Sequence, residues 1–252
     1  MKRWNSETVK LGTRNLNFEL CPLNFELIYQ DLGLIPYREA WDYQEKLYSG
    51  LMARKISGEK IFPGYLLFCE HPPVFTLGKS GSKENLLINE QMLAQRGIEF
   101  YRIDRGGDIT FHGPGQIVGY PILDLEQLQL GIKSYIEKLE EAVILVLKEY
   151  GILAGRLPGA TGVWLEPQKP SVARKICAIG VKAGRHITMH GFAFNVNTDL
   201  SYYQYINPCG FVDKGVTSMQ KDLGTIQDME KVKGLLKKCL ADTLRVSIIE
   251  HP

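Results

Sequence analysis

The sequence predicts one α/β (α+β) domain, a mixed β-sheet flanked by helices. The chain has 252 residues, 44% of them hydrophobic, which is enough to bury a single good-sized core. Amphipathic helical stretches alternate with short apolar runs that read as strands. No linker, repeat or low-complexity tract divides the chain, so one packed unit is the economical arrangement.

In chain order, residues 1–23 are polar and lack the apolar stretch of a secretory signal. They hold Lys2, Arg3, Lys10 and Arg14 against only Glu7 and Glu19. An organelle-targeting segment has that balance; an arm laid on the domain is the simpler expectation. Residues 37–54 follow as an amphipathic helix. Pro36 stands at its start, and Tyr37, Ala40, Trp41, Leu47, Tyr48 and Leu51 fall at helical spacing. Residues 64–69 read as a buried strand stopped by His71-Pro72-Pro73, and 98–103 and 117–123 as strands around a glycine-rich segment. Residues 133–150 form a second amphipathic helix, with Ile136, Leu139, Val143, Val146 and Leu147 inward and Gly151 ending it. Strands are expected at 161–165, 175–182 and 186–196, and a last helix at about 228–245.

Composition excludes several function classes. A net charge of +2 is too small to imply nucleic-acid binding without a concentrated patch. Charged residues at 23% and aromatics at 10% describe a soluble globular chain rather than a disordered one. No apolar run is long enough for a membrane-spanning helix. The five cysteines, at 21, 69, 177, 209 and 239, lie far apart, and no Cys-x-x-Cys pair occurs. A reducing compartment, the cytoplasm, is therefore expected.

Three segments carry chemistry. Residues 105–116, Arg-Gly-Gly-Asp-Ile-Thr-Phe-His-Gly-Pro-Gly-Gln, bring glycines that let backbone N–H groups approach a ligand, with Arg105 and His112 as further donors. The segment is not a P-loop, because no Gly-Lys-Ser/Thr follows. It also fails as a dinucleotide fingerprint: Gly119 comes one place late, and a strand follows where a helix is required. A structural turn between strands is the plainer alternative. Next, Lys175 opens the strand Lys-Ile-Cys-Ala-Ile-Gly-Val-Lys. It either points to solvent or is buried at a cost, where it can stabilise a thiolate and give up its own proton more readily. Third, Cys209 sits in an Asn-Pro-Cys-Gly turn, a loop position at which Gly210 leaves room beside the sulfur and backbone amides can stabilise an oxyanion. It is either a nucleophile or a turn cysteine without chemistry. Cys177 is its rival and shares a strand face with Lys175 by simple alternation, but its apolar run favours a core thiol; Cys21, Cys69 and Cys239 read as packing residues.

His186 and His190 have the spacing of helical zinc ligands. On a strand, however, four residues span roughly 13 Å, too far to chelate one ion. His190 is expected to line a pocket or to be a satisfied structural histidine.

These blocks carry a family resemblance. Arg-Gly-Gly-x-x-Thr-Phe-His-Gly-Pro-Gly-Gln (105–116), Lys-Ile-x-Ala-Ile-Gly-Val (175–181), Met-His-Gly-Phe-Ala-Phe-Asn-Val (189–196) and Ile-Asn-Pro-Cys-Gly (206–210) together resemble the signature of lipoyl (octanoyl) transferases, in the same order. The similarity covers about residues 30–225. The resemblance implies a fold shared with lipoate and biotin protein ligases, with residues 31–252 as the catalytic domain and 1–30 as an extension of unassigned role. It implies that Cys209 carries an acyl thioester and that Lys175 lowers its pKa. It implies a substrate pocket lined by Arg105, Gly106, Gly107 and Asp108, by Ile109, Thr110, Phe111 and His112, by Ala178, Ile179 and Gly180, and by Gly191, Phe192 and Ala193. The implied donor is an acyl carrier protein bearing octanoyl on its phosphopantetheine, so the enzyme needs no cofactor or metal of its own. The implied acceptors are lipoyl domains of 2-oxo acid dehydrogenases and the glycine cleavage H protein, met by a monomer. Carrier proteins are acidic as a class, so Lys55, Lys60, Lys79, Lys83, Lys133, Lys214 and Lys221 are candidates for a basic rim. Two alternatives stand beside this reading: an ATP-dependent lipoate–protein ligase on the same fold, and a non-catalytic carrier-binding module.

Overall fold

The computed structural model of the protein describes residues 25–208 and 215–250. Expectations placed on residues 1–23, including Cys21, and on Cys209, Gly210 and Lys214 lie outside the described residues.

The chain enters on β1 (Glu26–Leu34), then α1 (Tyr37–Ile56), β2 (Gly64–Glu70) and β3 (Val74–Leu77). A short helix α2 (Glu90–Gln95) leads to β4 (Glu99–Arg102), β5 (Ile109–His112) and β6 (Gln116–Ile122). After α3 (Ile132–Glu149) come β7 (Ala154–Leu157), β8 (Ala160–Leu165), β9 (Arg174–Gly184) and β10 (Ile187–Asn195). The described chain ends with β11 (Gly215–Val216), α4 (Met219–Leu223), α5 (Met229–Leu244) and β12 (Ser247–Glu250). The main sheet has the order β12-β1-β2-β6-β10-β9-β8-β7, with β11 beside β9. It is parallel from β12 to β2 and antiparallel from β2 to β7, the mixed sheet the sequence predicts. A second sheet, β4-β3-β5, stands apart. Strand β1 runs through the boundary drawn after residue 30, and Leu27, Ile28 and Tyr29 pair on both sides, with β2 and with β12.

Helix periodicity decides which face each helix buries. On α3, Leu139, Val143, Val146 and Leu147 pack with Leu236 and Leu240 of α5 against Phe68, Phe192 and Phe194 of the sheet. Each fully buried Leu or Phe on that face contributes about 2 kcal/mol. On the opposite face, Ala40 and Leu51 of α1 meet Leu67, Val118, Tyr120 and Ile122. Gln44 lies on the same α1 stripe and is fully buried; its Oε1 accepts the His190 N–H at 3.2 Å. Buried Lys233 of α5 donates to Asp31 of β1 at 2.8 Å and to Glu230 at 3.0 Å, which ties that helix to the sheet.

Candidate active site

The face under α1 continues into a cavity of about 340 Å³ between the main sheet and the glycine-rich segment. That volume suits a small ligand or one acyl chain. Its floor is built from small residues. Ala178 stands opposite Ala193 and Gly180 opposite Gly191 across β9 and β10, and all four line the cavity. Gly180 is needed for a second reason: a Cβ there would lie 2.7 Å from the Gly106 carbonyl oxygen and 3.0 Å from Arg105 Cδ. The absence of a side chain lets the 105–107 turn lie on β9, where the Gly106 N–H donates to Val181 O at 2.9 Å.

Arg105, Gly107, Asp108, Ile109, Thr110 and His112 line the cavity, as do Ile179 and Phe192. Gly106 and Phe111, expected there, do not. Gly106 is spent on the contact with Val181. Phe111 turns away, stacked on Tyr202 at 4.5 Å and tilted against Phe75 at 5.5 Å. Sequence reasoning missed Tyr37, Tyr120 and Asn195, which also line the cavity. Asn195 had a usable signal: it lies two residues beyond Ala193 on one strand, which places both on one face.

The wall is fixed by a continuous hydrogen-bonded chain. Arg105 Nη2 donates to Thr76 O at 2.8 Å and to Thr76 Oγ1 at 3.0 Å. His112 Nδ1 lies 2.8 Å from Gln116 Oε1, a group that only accepts, so Nδ1 carries the proton and Nε2 accepts from the Thr76 hydroxyl at 3.2 Å. Gln116 Nε2 donates to Asn195 Oδ1 at 2.9 Å, Asn195 Nδ2 to Thr217 O at 3.0 Å, and the Thr217 N–H to Lys175 O at 2.9 Å. Burial first, then neighbouring His71, holds the His112 pKa well below its ordinary value, so the ring is neutral near pH 7.

His190 meets the first expectation and only part of the second, because its buried Nδ1 has no hydrogen-bond partner among the described residues. It lines the cavity, is 2% exposed, and its Nε2 lies 3.0 Å from Asp104 Oδ1. That hydrogen bond, and an ion pair with Lys182, hold the Asp104 carboxyl far below the usual carboxylate range. His186 sits in the turn before β10. Among the described residues no group of three His, Cys, Asp or Glu is arranged to hold a metal ion.

Lys175 is 8% exposed and lines the cavity, so it does not point to solvent. Simple alternation would place Cys177 beside it, and the structure corrects this. The register shifts between Val163↔Cys177 and Trp164↔Lys175, so an irregularity in the β8–β9 pairing separates the two side chains. Lys175 faces the cavity. Cys177 is fully buried in the core under α3, and burial pushes its thiol far up. Cys69 and Cys239 are also buried, with thiols raised by the same cause.

The described chain on both sides of residues 209–214 stands at this site. Pro208 and Val216 line the cavity, the Asn207 N–H donates to Asn85 O at 2.8 Å, and Val216 pairs with Lys175.

One buried group near the cavity makes an acid-stability prediction. His71 is fully buried, with Nδ1 2.8 Å from Ile35 O and Nε2 2.7 Å from the Tyr120 hydroxyl. Burial lowers its pKa to about 4. The unfolded chain takes up that proton at about 6.5, so between those values it binds more protons than the folded chain. Stability is complete above pH 6.5 and falls as the pH drops toward 4, by about 3 kcal/mol from this residue. Urea denaturation at pH 7 and pH 4.5 should show the loss. His71→Gln, which does not titrate, should reduce the difference; an equal difference in the variant would assign it to other groups.

The profile of the lipoyl protein ligase A/B catalytic domain matches residues 36–241. An octanoyltransferase of Parabacteroides distasonis is 57% identical over 209 residues, covering 83% of this chain and 94% of its own. One from Bacteroides fragilis is 55% identical over 217 residues, covering 86% and 97%, and one from Cytophaga hutchinsonii 50% over 232 residues, covering 89% and 95%. Among solved structures, a bipartite lipoate protein ligase of Thermoplasma acidophilum, studied with its E2 lipoyl domain, has a TM-score of 0.66 at 18% identity, covering 90% of this chain and 87% of that one. Lipoate-protein ligase A bound with ATP has a TM-score of 0.58 at 18% identity, covering 90% and 88%. At such identity these structures speak for the fold alone. The chain belongs to the octanoyltransferase family, acyltransferases of lipoylation built on the lipoyl protein ligase A/B catalytic domain.

Proposed function

We propose that this enzyme takes octanoyl from the phosphopantetheine thioester of an acyl carrier protein, holds it as a thioester on Cys209, and delivers it to a lysine of a lipoyl domain. The observation that carries the reading is the buried Lys175 at the head of a trough floored by Ala178, Ala193, Gly180 and Gly191, with the flanks of the Cys209 segment beside it.

The chemistry follows from these residue types. The Cys209 thiolate attacks the donor thioester carbonyl; a new carbon–sulfur bond forms, and the pantetheine thiolate leaves and takes a proton from Lys175. One thioester replaces another, so the step is nearly isoenergetic and needs no nucleotide. The acceptor amine then attacks the Cys209 thioester, gives its excess proton to Lys175, and the carbon–sulfur bond breaks to release the Cys209 thiolate as a stable amide forms. Two easy steps replace one difficult one. An ordinary thiol with a pKa of about 8.5 is only a few per cent thiolate at neutral pH. A neighbouring ammonium raises that fraction.

Acceptors on this reading are the lipoyl domains of 2-oxo acid dehydrogenases and the glycine cleavage H protein, and the enzyme acts as a cytoplasmic monomer without cofactor or metal. Of the rim lysines, Lys79 adjoins cavity-lining Ser80, and Lys83 opens the 3₁₀ turn Lys83–Asn85, whose Asn85 O receives the Asn207 N–H. These two are the favoured contacts for an acidic carrier. Lys55 is engaged by Asp124 and Glu126 and is not.

An ATP-dependent ligase would need an adenylate site and has no use for a cysteine at 209. The test is octanoylation of an apo lipoyl domain. Octanoyl carrier protein alone should support it, and free octanoate with ATP and magnesium should not; the reverse result would make the enzyme a ligase.

A further inference from the structure

Lys175 is held in a way that the proposed reaction does not by itself require. Its cross-strand partner on β8 is Trp164, and its Nζ lies 4.7 Å from the centroid of the Trp164 ring. That ring is 1% exposed, and its Nε1 donates to Ala160 O at 2.9 Å, so it is clamped at both its edge and its face. Two residues earlier, Gly162 has φ +117, and a Cβ there would stand 2.4 Å from Cys177 O and 3.6 Å from Lys175 Cδ. The lysine side chain therefore passes over a glycine and ends on an indole face. We propose that Trp164 is a positioning residue of the transfer, whose ring face holds the Lys175 ammonium in place for the Cys209 thiolate.

The choice of an aromatic face has a chemical reason. A carboxylate in the same place would hold the lysine, but it would cancel the charge that the thiolate needs and would fasten the proton that the leaving thiol must receive. The ring quadrupole attracts the ammonium without carrying net charge and without accepting a proton. Trp164 thus orients Lys175 and leaves its charge and its proton available. The contact is desolvated, the condition in which such attraction is strongest.

This inference rests on the Cys209–Lys175 reading, and its test separates the two. The pH dependence of Cys209 alkylation by iodoacetamide, mapped by peptide mass spectrometry, is measured beside kcat and KM for octanoyl carrier protein. Trp164→Leu removes the ring face. It should move the alkylation midpoint up by about 0.5 to 1 pH unit. It should also lower kcat about tenfold, with KM for the carrier little changed. Trp164→Phe keeps a ring face and should recover most of both. Tryptophans bearing one to four fluorines, placed site-specifically at 164, withdraw charge from the ring face with little change of shape; the midpoint should climb with each fluorine even if the Leu variant does not fold. A flat fluorine series, or a Phe variant as impaired as the Leu variant, would overturn the proposal and leave Trp164 as packing. If Lys175→Met also leaves the midpoint unmoved, the reading of Lys175 fails with it. If Lys175→Met moves the midpoint and the fluorine series does not, only the role of Trp164 fails.

Discussion

Incubated with octanoyl carrier protein, the enzyme is expected to gain one octanoyl mass that hydroxylamine removes and that maps to Cys209. Cys209→Ser should lose turnover by about 10³-fold or more, as loss of a covalent nucleophile does elsewhere. Cys177→Ser should keep most of it. The contrast rests on where the thiols stand. Cys69, Cys177 and Cys239 are buried, and burial raises the pKa of each, so none supplies appreciable thiolate near pH 7. Cys177 looks close to Lys175 in sequence, but the shifted pairing with β8 leaves it under α3, away from the cavity. Intact mass before and after Cys209 replacement decides the matter. An adduct on Cys177 that survives the loss of Cys209 would overturn the assignment.

The sequence was informative where side-chain periodicity is long and apolar. Helices α1, α3 and α5 stand within two residues of their expected ends, because each repeats its buried stripe over several turns. The runs at β2 and β6 are apolar on both faces and were equally plain. Strands β3 and β5 were not: each is four residues long, one follows two prolines and the other lies inside the glycine-rich block, where turn chemistry masks the strand. Strands β1 and β12 carry mixed polarity and find their place only by pairing with each other and with β2. At the site, the blocks around Arg105, Ala178 and Gly191 were legible because glycine and alanine mark close approach. Tyr37 and Tyr120 were not, because they reach the cavity from elements far apart in the chain. Nor did alternation reveal the irregular pairing that separates Lys175 from Cys177, since such a shift depends on the partner strand.

Lys175 gives the sharpest division between charge and proton transfer. Lys175→Met keeps the bulk of the side chain and removes its charge. Lys175→Arg keeps the charge but cannot accept a proton at any relevant pH, and its planar fork does not match a position fitted to an ammonium over the Trp164 ring. If charge alone assisted Cys209, the Arg variant would retain substantial rate and the Met variant would not. On the proposed mechanism Lys175 also gives a proton to the leaving pantetheine thiolate and takes one from the incoming amine, so both variants should lose about 10²-fold or more in kcat, the usual size of a general acid–base contribution. The alkylation profile of Cys209 should then separate them. In Lys175→Met the thiolate loses a buried neighbouring cation, so the midpoint should rise; in Lys175→Arg a cation remains and the rise should be smaller. A Met variant with near-normal turnover and an unchanged midpoint would reduce Lys175 to a buried strand residue without a part in the chemistry. An Arg variant with most of its rate would leave it a charge and assign the protons to another group, for which His190, bonded to Asp104 and facing the same cavity, is the next residue to replace.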